Sequence, residues 1–145
     1  MLEKRLARFT HDIRFDSLDK ATLHLLKRNI LDSYAGICAS LQDTYLLGKY
    51  DRLTSMLPDD NGINVWGIGR AAHESEAVFM NSILGRRSDL VNTYISPNNV
   101  GGSHPSDNVS LVLTLGDWMN TSGEDILSSI YAAYLLSCGF ANFYS

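Results

Sequence analysis

Leu23, Leu26, Ile30, Tyr34, Ile37 and Leu41 follow one another at intervals of three or four residues. On an α-helix that spacing gathers all six on one face; on a strand it would scatter them over both. The same rhythm recurs in Leu2, Leu6, Phe9 and Ile13, then in Ala77, Met80 and Leu84, then in Val109, Val112, Leu113 and Leu115. A further amphipathic segment runs from Thr44 to Leu57 and stops before Pro58, and an almost wholly apolar stretch covers 126–145. Segments patterned in this way bury their stripes only by packing on one another, so the predicted fold class is all-α. "INVWGIG" (63–69) alone reads as extended, and it is too isolated to promise a sheet.

Punctuation places the helix ends. Asp16 or Ser17 is a candidate N-cap for the second helix, and Gly85 a candidate stop for the helix over 72–84. Pro105 suits the first position of the next helix, and Thr121–Glu124 reads as a capping box opening the last. The small residues of Ala35–Ser40 would let a neighbouring helix approach closely. The last helix is apolar nearly all round and is expected to be buried, with neighbours on several sides. It therefore implies an oligomer interface or additional chain. Residues 1–145 read as a single, partial helical domain, with no repeats and no low-complexity tracts.

With 45% hydrophobic and 19% charged residues the chain is of the ordinary soluble type. Its net charge of −4 and its scattered basic residues give no support to a nucleic-acid partner. Cys38 and Cys138 lie in apolar helical stretches and are expected as buried free thiols, which fits a reducing compartment. The start of the chain lacks the apolar core of a secretory signal. The expected localisation is cytoplasmic, or the mitochondrial matrix for a eukaryotic source, with no membrane partner.

From Arg86 to Ser103 the helical period lapses, and a long irregular segment inside a compact domain is more often functional than idle. The stretch from Arg86 to Asn108 collects Arg86, Arg87, Asp89, Asn92, Thr93, Tyr94, Asn98, Asn99, His104, Ser106, Asp107 and Asn108 around the glycines of "NVGGSHPSDN". His104 falls just before a helix, where unpaired N–H groups and the macrodipole favour an anion. An imidazole and a carboxylate there suit proton abstraction next to a carboxylate. The alternative is that His104 and Asp107 only cap the helix while the arginines are solvated. No metal site is expected, because no second His or Cys stands near His104 and Asp107. His11, His24 and His73 read as surface residues.

Taken in order, "LARFTHDIRFDSL", "LLKRNILDSYAGICASL", "VWGIGR", "FMNSILG", the "SDLVNTY" segment, "SHPSDN" and "GEDILSSIYAAYLL" resemble the MmgE/PrpD family of 2-methylcitrate dehydratases and cis-aconitate decarboxylases. The likeness runs along essentially the whole chain, and "SHPSDN" is most similar to the dehydratase branch. The resemblance implies the N-terminal portion of that family's large helical domain. It also implies a cofactor-independent lyase that dehydrates a citrate-type tricarboxylate by acid–base chemistry. On this likeness Asp89, Thr93 and His104 are the catalytic candidates, and Arg86, Arg87, Asn92 and Ser106 the substrate-binding ones. Asn92 stands where the family commonly carries a second Asp. Family members are considerably longer, and further site residues, among them a lysine and more histidines, are implied in a part not contained here. The chain is thus expected to be a fragment or split subunit, working as a homo-oligomer or with a complementary C-terminal chain. The alternatives are a non-catalytic helical module that binds a partner through its last helix, and a cis-aconitate decarboxylase-like activity.

Overall fold

The computed structural model describes residues 1–59, 61–97 and 101–143. The fold is mostly helical, as expected, with six α-helices among the described residues. They are α1 (Leu2–Asp12), α2 (Lys20–Ser40), α3 (Thr44–Met56), α4 (Glu74–Arg87), α5 (Asp107–Trp118) and α6 (Gly123–Phe143). Helix α4 is central: it packs most extensively on α5, then on α2, and carries a short hairpin on its flank.

The caps sit where side-chain oxygens reach orphan N–H groups, and most are displaced from the sequence expectation. A short 3₁₀ turn, Phe15–Ser17, absorbs the expected caps of α2, and Asp19 accepts from Thr22 N instead. Asp43 caps α3 through Leu46 N. At α6 the expected Thr121–Glu124 box gives way to Ser122, which accepts from Asp125 N and donates its hydroxyl to the Asp125 carboxylate. Gly85 does not stop α4, which continues to Arg87. Its role is steric: a Cβ there would collide with Ser110 of α5, so the glycine lets α5 lie close against α4.

"INVWGIG" does form a sheet, though a minimal one. Strand β1 (Ile63–Val65) pairs antiparallel with β2 (Arg70–Ala72), Ile63 opposite Ala72 and Val65 opposite Arg70. Three residues per strand are too few to display a period, which is why the second strand is not legible and its last residue, Ala72, reads as the start of the next helix. Ile63, Val65 and Ala72 face the larger core with Tyr50, Ala77, Met80 and Leu84. A second core joins Leu26, Val109 and Ile130. Beside the larger core, Asn81 is wholly buried. Its Oδ1 accepts from Trp66 N at 3.0 Å, and its Nδ2 donates to Asn64 O and Thr114 Oγ1, both at 3.1 Å.

Two expectations about burial are corrected. Cys38 is exposed and Cys138 only half-buried, because α2 and α6 each turn part of an apolar surface outward. Tyr34, on the predicted inner face of α2, is 51% exposed for the same reason. Helix α6 buries only Ile130 and Ala141, whereas Leu135, Phe140 and Phe143 are exposed. Together with Leu2, Leu6 and Phe9 of α1 they line an open apolar groove of about 430 Å³. Helix α6 is also long and apolar enough to cross a bilayer, a test that core helices of soluble proteins pass as well.

Candidate active site

The segment between α4 and α5 is less irregular than its composition suggests. Strands β3 (Tyr94–Ile95) and β4 (Gly102–Ser103) pair antiparallel, Tyr94 opposite Ser103. The buried Ser96 closes the loop, its N–H donating to Gly101 O at 2.8 Å and its Oγ accepting from Gly101 N at 3.0 Å. The hairpin lies on α6: Tyr94 OH donates to Asn142 Oδ1 at 2.9 Å, and a Cβ on Gly101 would strike the Ala141 carbonyl. Asn98 and Asn99 lie outside the described residues.

This pairing sets Thr93 and His104, one residue outside the two strands, side by side. Thr93 Oγ1 lies 3.3 Å from His104 Nδ1, with Thr93 exposed and the histidine half-buried. The imidazole tautomer decides which of the two donates. When Nδ1–H donates to Thr93, Nε2 is free to take a proton; when the Thr93 hydroxyl donates, Nε2 carries one to give.

Asp89 terminates α4 in the left-handed region, at φ 54°, with its N–H donating to Arg86 O at 3.0 Å. Glycine usually takes that position; an aspartate there carries a small conformational cost. Its carboxylate is 80% exposed and stands 3.5 Å from Arg86 Nη2, while Arg86 Nη1 stands 3.6 Å from Asp107 Oδ1 in the first turn of α5. Arg86 Nη1 is buried and makes no hydrogen bond among the described residues. The guanidinium thereby links Asp89 to the start of α5, three residues beyond His104.

His104 and Asp107 are not the caps of α5. The N-cap is Ser106, preceded by a turn over Pro105 in which His104 O accepts from Asp107 N. Ser106 makes no side-chain cap bond; it is 6% exposed and its Oγ accepts from Asn92 N at 2.9 Å. Asn92 in turn donates from Nδ2 to Asp32 Oδ2 at 3.0 Å and accepts at Oδ1 from Tyr134 OH at 2.8 Å. Arg87 points elsewhere, its Nε 2.8 Å from Asp43 Oδ2 at the start of α3. Of the seven residues singled out from the sequence, Thr93 thus pairs with His104, Asn92 with Ser106 and Asp89 with Arg86, whereas Arg87 joins none of them.

Two neighbours escaped sequence reasoning, Asp32 of α2 and Tyr134 of α6. Each lies in a regular helix far from the loop, and nothing local marks it. Burial pushes the Tyr134 phenol up to about 12, and the nearby Asp32 charge adds to the effect, so at neutral pH it keeps the proton it donates. Asp32 also lines a shallow groove of about 450 Å³ with Arg28, Asn29, Leu31, Ala35 and Asn92.

The family model of the MmgE/PrpD N-terminal domain matches residues 4–145. The chain belongs to the MmgE/PrpD family. No curated protein and no solved structure matches it. Membership extends over both helices that flank the loop, and the mostly helical fold agrees with that domain.

Proposed function

We propose that this chain carries the N-terminal part of the active site of a lyase that dehydrates a citrate-type tricarboxylate, with 2-methylcitrate as the first substrate to test. The observation that carries the reading is the Thr93–His104 pair, an imidazole with one ring nitrogen engaged by a hydroxyl and the other left for proton transfer. Family membership supports this reading, since the family includes dehydratases.

In such a reaction a base takes the proton α to a carboxylate, and the C–O bond to the neighbouring hydroxyl breaks as that oxygen receives a proton and leaves as water. The electron pair of the C–H bond becomes the new C=C bond. His104 serves as the base, and Asp89 is the second acid–base group at the far side of the loop. Thr93 holds the ring at Nδ1, and the basic form is the tautomer whose Nδ1–H donates to its hydroxyl. Charge building up on the substrate carboxylate needs a cation nearby. Arg86 is suited to supply it: its contact to the exposed Asp89, at 3.5 Å, is long for a charge-assisted bond, and a substrate carboxylate can replace it. Ser106 and Asn92 act from below by holding the loop, and Arg87 stays with α3. The chemistry calls on no cofactor.

The test is turnover of 2-methylcitrate, and of cis-aconitate for the decarboxylase alternative, by this chain alone and combined with a C-terminal part of the family's fold. Activity that disappears in His104→Ala is expected. Activity unchanged by that substitution, or none in any combination, overturns the reading. The exposed apolar face of α6 favours a second reading, a helical module that docks on a second copy or a complementary chain without catalysis. That reading predicts association without turnover.

A further inference from the structure

Asn92 is fastened on three sides, by Ser106 at the start of α5, Asp32 on α2 and Tyr134 on α6, all between 2.8 and 3.0 Å. The two side-chain partners make opposite demands. An ionised Asp32 can only accept, and Tyr134 presents a hydroxyl proton to Asn92 Oδ1. An amide answers both at once. Asn92 is also the residue before Thr93, and the bond from its N–H to Ser106 joins the Thr93 side of the loop to the His104 side.

We propose that Asp32, Asn92 and Tyr134 form a positioning relay that holds the Thr93 hydroxyl against the His104 ring. None of the three touches the imidazole; they act through the backbone of the loop, with two long helices as the anchor. The relay stands on this geometry alone, and its bearing on turnover rests on the lyase reading above.

The test reads the ring-nitrogen chemical shifts of His104 by NMR, with the exposed His24 as reference for an unconstrained imidazole and Thr93→Val as reference for the lost contact. Tyr134→Phe keeps the ring and removes only the donor, and it is expected to move the His104 shifts in the same direction as Thr93→Val. Asn92→Asp sets two carboxylates against each other and is expected to do likewise. The double variant Asn92→Asp/Asp32→Asn restores every bond with the sense of one reversed. The amide on α2 then donates to the carboxylate on the loop, and Tyr134 still donates to that carboxylate. This variant is expected to return the His104 shifts to the wild-type values. Unchanged signals of the buried Asn81 side-chain amide in each variant report that the fold persists. Wherever turnover is present, kcat falls about tenfold to a hundredfold in the single variants and recovers in the double one.

The relay is overturned if Thr93→Val moves the His104 shifts while Tyr134→Phe does not, if Thr93→Val itself leaves them in place, or if the folded double variant fails to restore them. Should Asn92→Asp not fold, Tyr134→Phe and the double variant decide. A relay that responds as expected in a chain without turnover sinks the lyase reading alone. Turnover that depends on His104 but ignores the relay variants sinks the relay alone.

Discussion

At the scale of single residues, conformational cost and chemistry meet at Asp89. A non-glycine residue at φ 54° costs about 1 kcal/mol, and glycine at that position relieves it. Asp89→Gly is therefore expected to raise stability by up to ~1 kcal/mol in a denaturant titration while abolishing turnover. A gain of stability with activity retained would remove the carboxylate from the mechanism. Asn81 behaves oppositely. Its replacement by Ala removes the partner of the half-buried Trp66 N–H and of the buried Thr114 hydroxyl, an expected loss of about 2–3 kcal/mol by the same titration. Tyr50 and Tyr134 set the alkaline limit. Burial raises both phenols from 10.0 to about 12, so the folded state holds their protons more tightly than the unfolded chain does. That stabilisation is complete below pH 10 and is lost as pH rises toward 12. The denaturation midpoint should fall across this window, and Tyr50→Phe should make the fall shallower.

At the scale of elements, the helix caps govern the acid side. The Asp19 carboxyl is held below its usual range chiefly by the Thr22 N–H, Asp43 by the Leu46 N–H and then Arg87, and Glu76 by the Ser75 hydroxyl. Groups lowered in this way stabilise the fold above their unfolded pKa and lose that contribution as pH falls through the folded one. Helicity followed by circular dichroism should begin to fall below about pH 4, and Asp43→Asn should lessen the fall. The helices themselves were legible because apolar spacing is a local signal: Leu26 and Ile37, Met80 and Leu84, and Val109 all lie buried where the period put them. Their ends were less so. Asp19 competes with Asp16 and Ser17 within one turn of chain, and Gly85 has the look of a stop although Ser110 gives it a different purpose. Thr93 and His104 were legible as residue types in a glycine-rich loop, and the resemblance tied them to Asp89. The strand pair that brings Thr93 and His104 together was not, because two residues per strand leave no pattern. Asp32 and Tyr134 were invisible for a related reason: their partner is sixty and forty-two positions away, a separation on which helical periodicity carries no information.

At the scale of the whole molecule, one face is finished and one is not. The α4–α5 centre is closely packed, whereas the α1–α6 groove leaves Leu2, Phe9, Phe140 and Phe143 exposed. Exposed apolar patches of this kind mark interaction surfaces, and we propose that a second copy or a complementary chain covers this one. Sedimentation should find the chain associated, and Leu6→Glu with Leu136→Glu should return it to a monomer; a well-folded monomer at the outset would contradict this. The hairpin bearing the site leans on the same helix, through Tyr94 and Gly101. Covering α6 and ordering the site are therefore linked in one element. The most direct test of the site is an NMR titration of the isotope-labelled chain with 2-methylcitrate. Saturable shifts in Thr93, His104 and Arg86, lost in His104→Ala, are the expected result; shifts confined to other regions, or none at saturating ligand, would contradict the account.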